Sequence, residues 1–221
     1  MSGDAGVWTA YNNVRASRSE PRESTRALIA YAGPGAGRLA LDLGSGAGVE
    51  TEALVRAGWR VLAIDADPAA AGLTQARLPE ELRDHVEVRT AAFDELTDLP
   101  PAALVHAAYA LPFAGDGFEA LWARIRAALE PGGWLGCTLF GVNNGTLGDG
   151  DEHGTGVVRH TRAQVVALLE GLEVVRLDED EYDGGSFSGP QHWHTFDVIA
   201  RCPRLVEHPA DPPGSATTLT P

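Results

Sequence analysis

The sequence predicts a single α/β domain built on a doubly wound, mostly parallel sheet. Two observations carry this. Strand-like apolar runs alternate with segments of helical period along most of the chain, and a glycine-rich loop joins the first such run to the first helix, LALDLGSGAGVET at 39–51. A third is length: 221 residues can bury one sizeable core, and no internal repeat divides them.

Strands are predicted at 39–43, 60–64, 86–90, 104–107 and 134–140. Between the first two, 49–57 carries apolar residues at helical spacing and stops at Gly58, a C-cap. Asp67-Pro68 reads as an N-cap followed by proline in the first turn of the next helix. Phe118, Leu121, Trp122, Ile125 and Leu129 fall on one helical face, which reads as the side packed on the sheet. Pro131-Gly132-Gly133 then turns the chain into the fifth strand. Residues 143–156, NNGTLGDGDEHGTG, read as an exposed acidic loop or lid. A helix at 161–170 precedes two last strands, 172–177 and 195–201, joined by a long hairpin loop that contains EYDGGSFSGPQHW. The resulting organisation is an N-terminal flap over 1–30, a domain over 31–203 and a disordered tail over 204–221.

Composition excludes several function classes. A formal net charge of −14 repels a polyanion, so no nucleic-acid partner is expected. No stretch approaches the roughly 18 consecutive apolar residues of a membrane span, so no membrane partner is expected. Cys137 and Cys202 are the two cysteines; they make neither a disulfide framework nor zinc spacing, and no metal is expected. The first residues lack the basic-then-apolar pattern of a secretory signal, and a cytoplasmic protein is expected. All 17 basic residues are arginine. Without a lysine the chain cannot be a P-loop NTPase, form a Schiff base or use a tyrosine–lysine pair.

The glycine loop lies where ligands sit in open parallel sheets, at the carboxyl end of a strand. Gly44, Gly46 and Gly48 let the backbone turn and approach a ligand closely, and the helix that follows directs its free N–H groups to the same place. A dinucleotide loop has the spacing G-x-G-x-x-G, whereas this one is G-x-G-x-G, with Val49 where the third glycine would stand. Asp42 just before the loop is awkward for a pyrophosphate and favourable for a cationic amine or sulfonium. Asp65 closes the second strand at the spacing of an acid that accepts from both ribose hydroxyls.

LALDLGSGAGVET, VLAIDADP, AALVHAAYALPF and LEPGGWLGCTLFG together resemble the successive motifs of class I S-adenosylmethionine-dependent methyltransferases. LEVVRLDEDEYDG and GPQHWHTFDVIARCP are similar to the closing hairpin of bacterial tellurite-resistance methyltransferases, and the resemblance spans about residues 8–203. It implies a Rossmann-like seven-stranded sheet with its last strand antiparallel, and S-adenosylmethionine as cofactor. It places Asp42, Gly44, Ser45, Gly46 and Gly48 around the methionine part and Asp65, with Ala66 beside it, at the ribose. Ala107 and Tyr109, at the end of the fourth strand, complete the cofactor set. Family members often carry an acid beside adenine; here that position is Ala92. Phe93 would contribute its backbone and ring, and Asp94 a carboxylate one residue late.

Methyl transfer from a sulfonium is an in-line displacement, in which much of the rate comes from alignment in a dry pocket. A base is needed only where the acceptor must lose a proton. The candidate catalytic residues are Tyr11, on a segment that with Trp8 and Arg15 would fold over the cofactor, Tyr109 after the fourth strand, and His192 in the closing hairpin. Leu111, Pro112, Phe113, Asn143, Asn144, Glu181, Tyr182 and Trp193 fall at the same edge. The expected acceptor is a small molecule, organic rather than a chalcogen oxyanion because the loop DGDEHG is acidic, and the expected state is monomer or homodimer. The acceptor atom stays open. The alternatives are an NAD-dependent oxidoreductase, and a protein that binds S-adenosylmethionine but has lost or replaced methyl transfer.

Overall fold

The computed structural model describes residues 5–146 and 156–204. The predicted acidic loop falls largely outside them, as does all of the predicted tail except Arg204. The first strand, β1 (Leu39–Leu43), is apolar on both faces because helices cover both. It pairs in parallel with β2 (Arg60–Asp65) and β4 (Ala102–Ala107). β2 continues to β3 (Val86–Thr90), and β4 to β5 (Leu129–Gly141), again in parallel. Two two-residue strands follow, β6 (Gly145–Thr146) and β7 (Arg159–His160). The last two strands are β8 (Glu173–Ser186) and β9 (Gly189–Arg201). β9 runs antiparallel to both β5 and β8, so the long strands stand in the order β3-β2-β1-β4-β5-β9-β8. That is the expected seven-stranded sheet with its last strand antiparallel; β6 and β7 are short additions at its carboxyl edge.

Six α-helices are present among the described residues: α1 (Ala5–Arg15), α2 (Glu23–Ala32), α3 (Val49–Arg56), α4 (Ala69–Arg77), α5 (Phe118–Ala128) and α6 (Arg162–Leu168). None is long and apolar enough to cross a membrane. One sheet face packs Leu41, Leu43, Val105, Leu135 and Leu139 against Phe118, Leu121, Ile125 and Val165 of α5 and α6. The other packs Ala40, Leu104 and Ile199 against Leu28 of α2 and Leu54 and Val55 of α3. α2 runs through residue 30, where the sequence ends the flap, and its Leu28 is fully buried.

Two expectations are corrected. The hairpin loop is mostly ordered ribbon: β8 and β9 stay paired from Glu173↔Arg201 to Ser186↔Gly189, leaving only Phe187 and Ser188 to turn. The turn at Pro131-Gly132-Gly133 lies inside β5, where Gly132 adopts φ 79° and the β4–β5 register shifts. The helix start near 161 has a full capping box: Gln164 N–H donates to Thr161 Oγ1, and Thr161 N–H donates to Gln164 Oε1. Thr161→Ala is expected to lower stability by about 1 kcal/mol, read as a drop in the denaturant midpoint at unchanged slope.

Candidate cofactor and acceptor site

The glycine loop is built around conformations that only glycine holds cheaply. Gly44 adopts φ 71°, and a Cβ there would meet Ala110 Cβ at 2.4 Å. Gly48 adopts φ 76°, with Thr74 Oγ1 at 2.5 Å from the same imaginary atom. The residue after Tyr109 thus presses directly on the loop, and so does α4. Gly44 and Ser45 N–H both donate to Ile64 O, tying the loop to β2.

Asp65 closes this junction. Its Oδ2 accepts from Gly46 N–H at 2.7 Å and its Oδ1 from Asp67 N–H at 2.9 Å. Burial pushes its pKa up, against the two backbone donors that favour the carboxylate. Ser45 Oγ, in the loop, is buried without a partner among the described residues, which marks a polar atom awaiting a ligand or water. Ala66 is exposed at the mouth, and Ala107 is buried at the end of β4.

Asp42 does something other than face a ligand charge. It is 1% exposed, and both oxygens are engaged: Oδ2 accepts from Thr51 Oγ1 at 2.6 Å, and Oδ1 from His106 Nδ1 at 2.8 Å. His106 Nε2 then reaches Thr25 Oγ1 at 3.0 Å. The chain of bonds links α3, β1, β4 and α2 beneath the loop. Burial alone would lower the His106 pKa; the hydrogen bond and charge of Asp42, with Glu50 beyond, outweigh it and hold the pKa up. Sequence reading missed His106. Its signal is a lone histidine in an apolar strand, and it gains meaning only once β1 and β4 are known to place Asp42 opposite it.

Near the expected adenine position, Ala92 N–H donates to Glu95 Oε2 at 2.8 Å. Glu95 thus also brings a carboxylate to this position. Phe93 lies against the loop, its Cζ 3.9 Å from where a Gly44 Cβ would sit.

α1 lies across the loop and is fastened there. Thr9 Oγ1 and Asn12 Nδ2 both donate to the Asp67 carboxylate at 2.8 Å, and Asn12 Oδ1 would stand 2.9 Å from a Gly46 Cβ. Arg77 holds the end of the segment through Ala16 O and the loop through Ala47 O.

The candidate catalytic residues separate in space. Tyr109 is a non-glycine residue at φ 57°, a conformation that costs energy and clusters at functional sites. Its ring packs on Phe140 and Trp193, with the Arg22 guanidinium 4.1 Å from its centroid. Burial raises its pKa to about 12, so near neutral pH it keeps its proton and donates. Tyr11 packs on Phe187 at the ribbon tip, with Arg15 over its ring. His192 lies on the other face of β9 from Trp193, the face of His194 and the buried Phe196. Both its ring nitrogens donate to carboxylates, Nδ1 to Asp183 and Nε2 to Glu181, which raises its pKa. With both ring nitrogens engaged in this way, neither is free to act as a base. Tyr109 and His192 are therefore not brought together.

The strand order, with a glycine loop after β1 and an acid closing β2, is that of the class I methyltransferase fold. A family model described as a methyltransferase domain matches residues 41–135, and no curated protein matches the chain. Solved structures share the fold. The Burkholderia thailandensis 1,6-didemethyltoxoflavin-N1-methyltransferase, bound to 1,6-didemethyltoxoflavin and S-adenosylhomocysteine, is 21% identical with a TM-score of 0.63, over 90% of this chain and 86% of its own. TehB from Haemophilus influenzae is 10% identical with a TM-score of 0.69, over 88% and 67%. The N-methyltransferase NodS from Bradyrhizobium japonicum WM9, with S-adenosylhomocysteine, is 19% identical with a TM-score of 0.60, over 89% and 99%. The chain thus has the class I methyltransferase fold and matches a methyltransferase domain over residues 41–135, and two of these fold relatives hold S-adenosylhomocysteine. The unpartnered Ser45 Oγ, the side-chain-free cradle and the Asp65 carboxylate fit that molecule.

Proposed function

We propose that the protein methylates a small organic molecule at the carboxyl edge of the sheet. In this reading the loop Gly44–Gly48 surrounds the methionine part, Asp65 accepts from the ribose hydroxyls, and Ala92 with Phe93 borders adenine. Asp42 acts from below, holding His106 and the first turn of α3. The bound cofactor supplies an electrophilic methyl on a sulfonium; the chain's part is to align the acceptor and exclude water. α1 closes the site as a flap, Tyr109 borders the acceptor as a donor, and Tyr11 and His192 serve the lid and the ribbon. A small acceptor is supported by the acidic composition of the chain and by the small acceptor bound in one fold relative. A cytoplasmic monomer or homodimer without nucleic-acid partners belongs to the same reading.

The observation that carries this reading is the clasp of Asp65 with Gly46 at the end of β2, beside the unpartnered Ser45 hydroxyl. Calorimetry is expected to show S-adenosylhomocysteine binding and no NAD binding. Binding of NAD alone would sink the reading in favour of an oxidoreductase. Donor binding without label transfer to any of a broad set of small organic acceptors would favour a binder that has lost the reaction.

A further inference from the structure

We propose that the acceptor is a planar aromatic molecule with an acidic O–H or ring N–H, bound as its anion beside Arg22. The inference rests on the methyltransferase reading and names the substrate class of that site.

Five rings from four parts of the chain meet beside the glycine loop. Trp8 of α1 packs on Phe113, in the turn after β4, at 4.8 Å between centroids, and Phe113 on Phe140 of β5 at 5.9 Å. Phe140 meets Tyr109 and Trp193 at 6.0 and 6.1 Å, and these two meet at 5.8 Å. Every one of these contacts is edge-to-face, with interplanar angles of 70–81°. Walls set at right angles offer a flat ligand one face to stack on and edges to abut. Phe113 is 37% exposed, so the group is open to solvent at one end. The group also adjoins the donor loop on two sides. Ala110, next to Tyr109, abuts Gly44, and Asn12, one turn after Trp8, abuts Gly46.

Charge then selects among flat ligands. Arg18 is bound by both oxygens of Glu50 at 2.6 Å, and Arg26 by Pro21 O. Arg22 lies over Tyr109 and forms no ion pair among the described residues. The charges around it are Asp197 on β9, bound by Thr138 Oγ1, Glu50 on α3, which accepts from Arg22 N–H, and His106 on β4. In a chain of net charge −14 the Arg22 guanidinium thus lies against the Tyr109 ring with no ion pair among the described residues. It would repel an ammonium acceptor and stabilise an anion. An inorganic oxyanion would gain from the charge but nothing from the rings.

The step balances without a protein base. The acceptor gives its proton to solvent, favoured by Arg22. Its oxygen or nitrogen lone pair forms the bond to the methyl carbon, and the carbon–sulfur pair passes to sulfur, leaving a neutral thioether and a neutral methylated product. Tyr109 keeps its own proton and can donate to the same atom.

The test uses the full chain with saturating S-adenosylhomocysteine, and tryptophan fluorescence as the binding readout. 4-Nitrophenol is expected to quench, and benzylamine and selenite are not. Arg22→Gln is expected to weaken the nitrophenol at least tenfold while keeping S-adenosylhomocysteine affinity, and Arg22→Lys to restore part of it. With labelled S-adenosylmethionine, the nitrophenol alone of the three is expected to take the label. Equal binding or labelling of benzylamine, labelling of selenite, no nitrophenol binding, or an Arg22→Gln variant of unchanged nitrophenol affinity would each overturn the proposal. If S-adenosylhomocysteine itself fails to bind the wild-type chain, the methyltransferase reading falls first; if it binds and the nitrophenol does not, only this inference falls.

Discussion

Asp42→Ala is expected to destabilise the fold by about 3–5 kcal/mol, the usual cost of removing one partner from a buried ion pair. The carboxylate is 1% exposed and His106 3% exposed, so water cannot take over either hydrogen bond. Thr51 Oγ1 would also lose its acceptor, in the first turn of α3. The pH dependence makes the cause distinguishable from a simple cavity. The folded pKa of His106 is raised, so its stabilisation is fully present below the unfolded value of about 6.5 and is lost as pH rises through the folded pKa. Without Asp42, burial dominates and the folded pKa falls below the unfolded one. The variant should then gain stability as pH rises toward about 6.5, below the interval in which the wild type loses this contribution. Chemical denaturation at a series of pH values measures both curves. Parallel curves would show that the pair is neutral in the fold and that His106 carries no charge there.

The central sheet was legible because burial on both faces leaves an unambiguous mark. LALDL and VLAID are apolar runs that nothing exposed would need, and the loop between them announces itself through glycines that the backbone requires. Asp65 was legible for the same local reason: it closes a strand at a fixed distance from that loop. The partners of Asp42 were not, since a strand reports which residues are buried but not what lies across from them. Pairing Asp42 with His106 needs β4 to lie beside β1, a choice made by the whole sheet. The ribbon was misread through composition. Gly184, Gly185 and Ser186 suggest a loop, yet Gly184 sits where a Cβ would lie 3.3 Å from both Trp193 and Tyr182, so the aromatic neighbours themselves ask for glycine within the strand. The position of α1 depends on Asp67 and Gly46, residues far along the chain, and its own periodicity says nothing of either.

Asp65→Ala is expected to weaken S-adenosylhomocysteine binding by roughly 100- to 1000-fold. The carboxylate would accept from two ribose hydroxyls, and two hydrogen bonds to a charged group are worth about 3–4 kcal/mol together after solvent exchange. In the structure the same oxygens accept from Gly46 and Asp67 N–H, so the substitution also releases the loop, and a loss of affinity alone does not isolate the sugar. A ligand cycle does. The wild type should favour adenosine over 2′,3′-dideoxyadenosine, and in Asp65→Ala that preference should collapse toward unity, because the group that reads the hydroxyls is gone while any loosening of the loop weakens both ligands alike. Acid should act in the same direction. Burial raises the Asp65 pKa, so the preference for adenosine should fade as pH drops through that raised value, where a protonated carboxyl loses its charge and half its acceptor capacity. A preference that survives the substitution would move the ribose elsewhere in the site and leave Asp65 as the brace between the glycine loop and the start of α4.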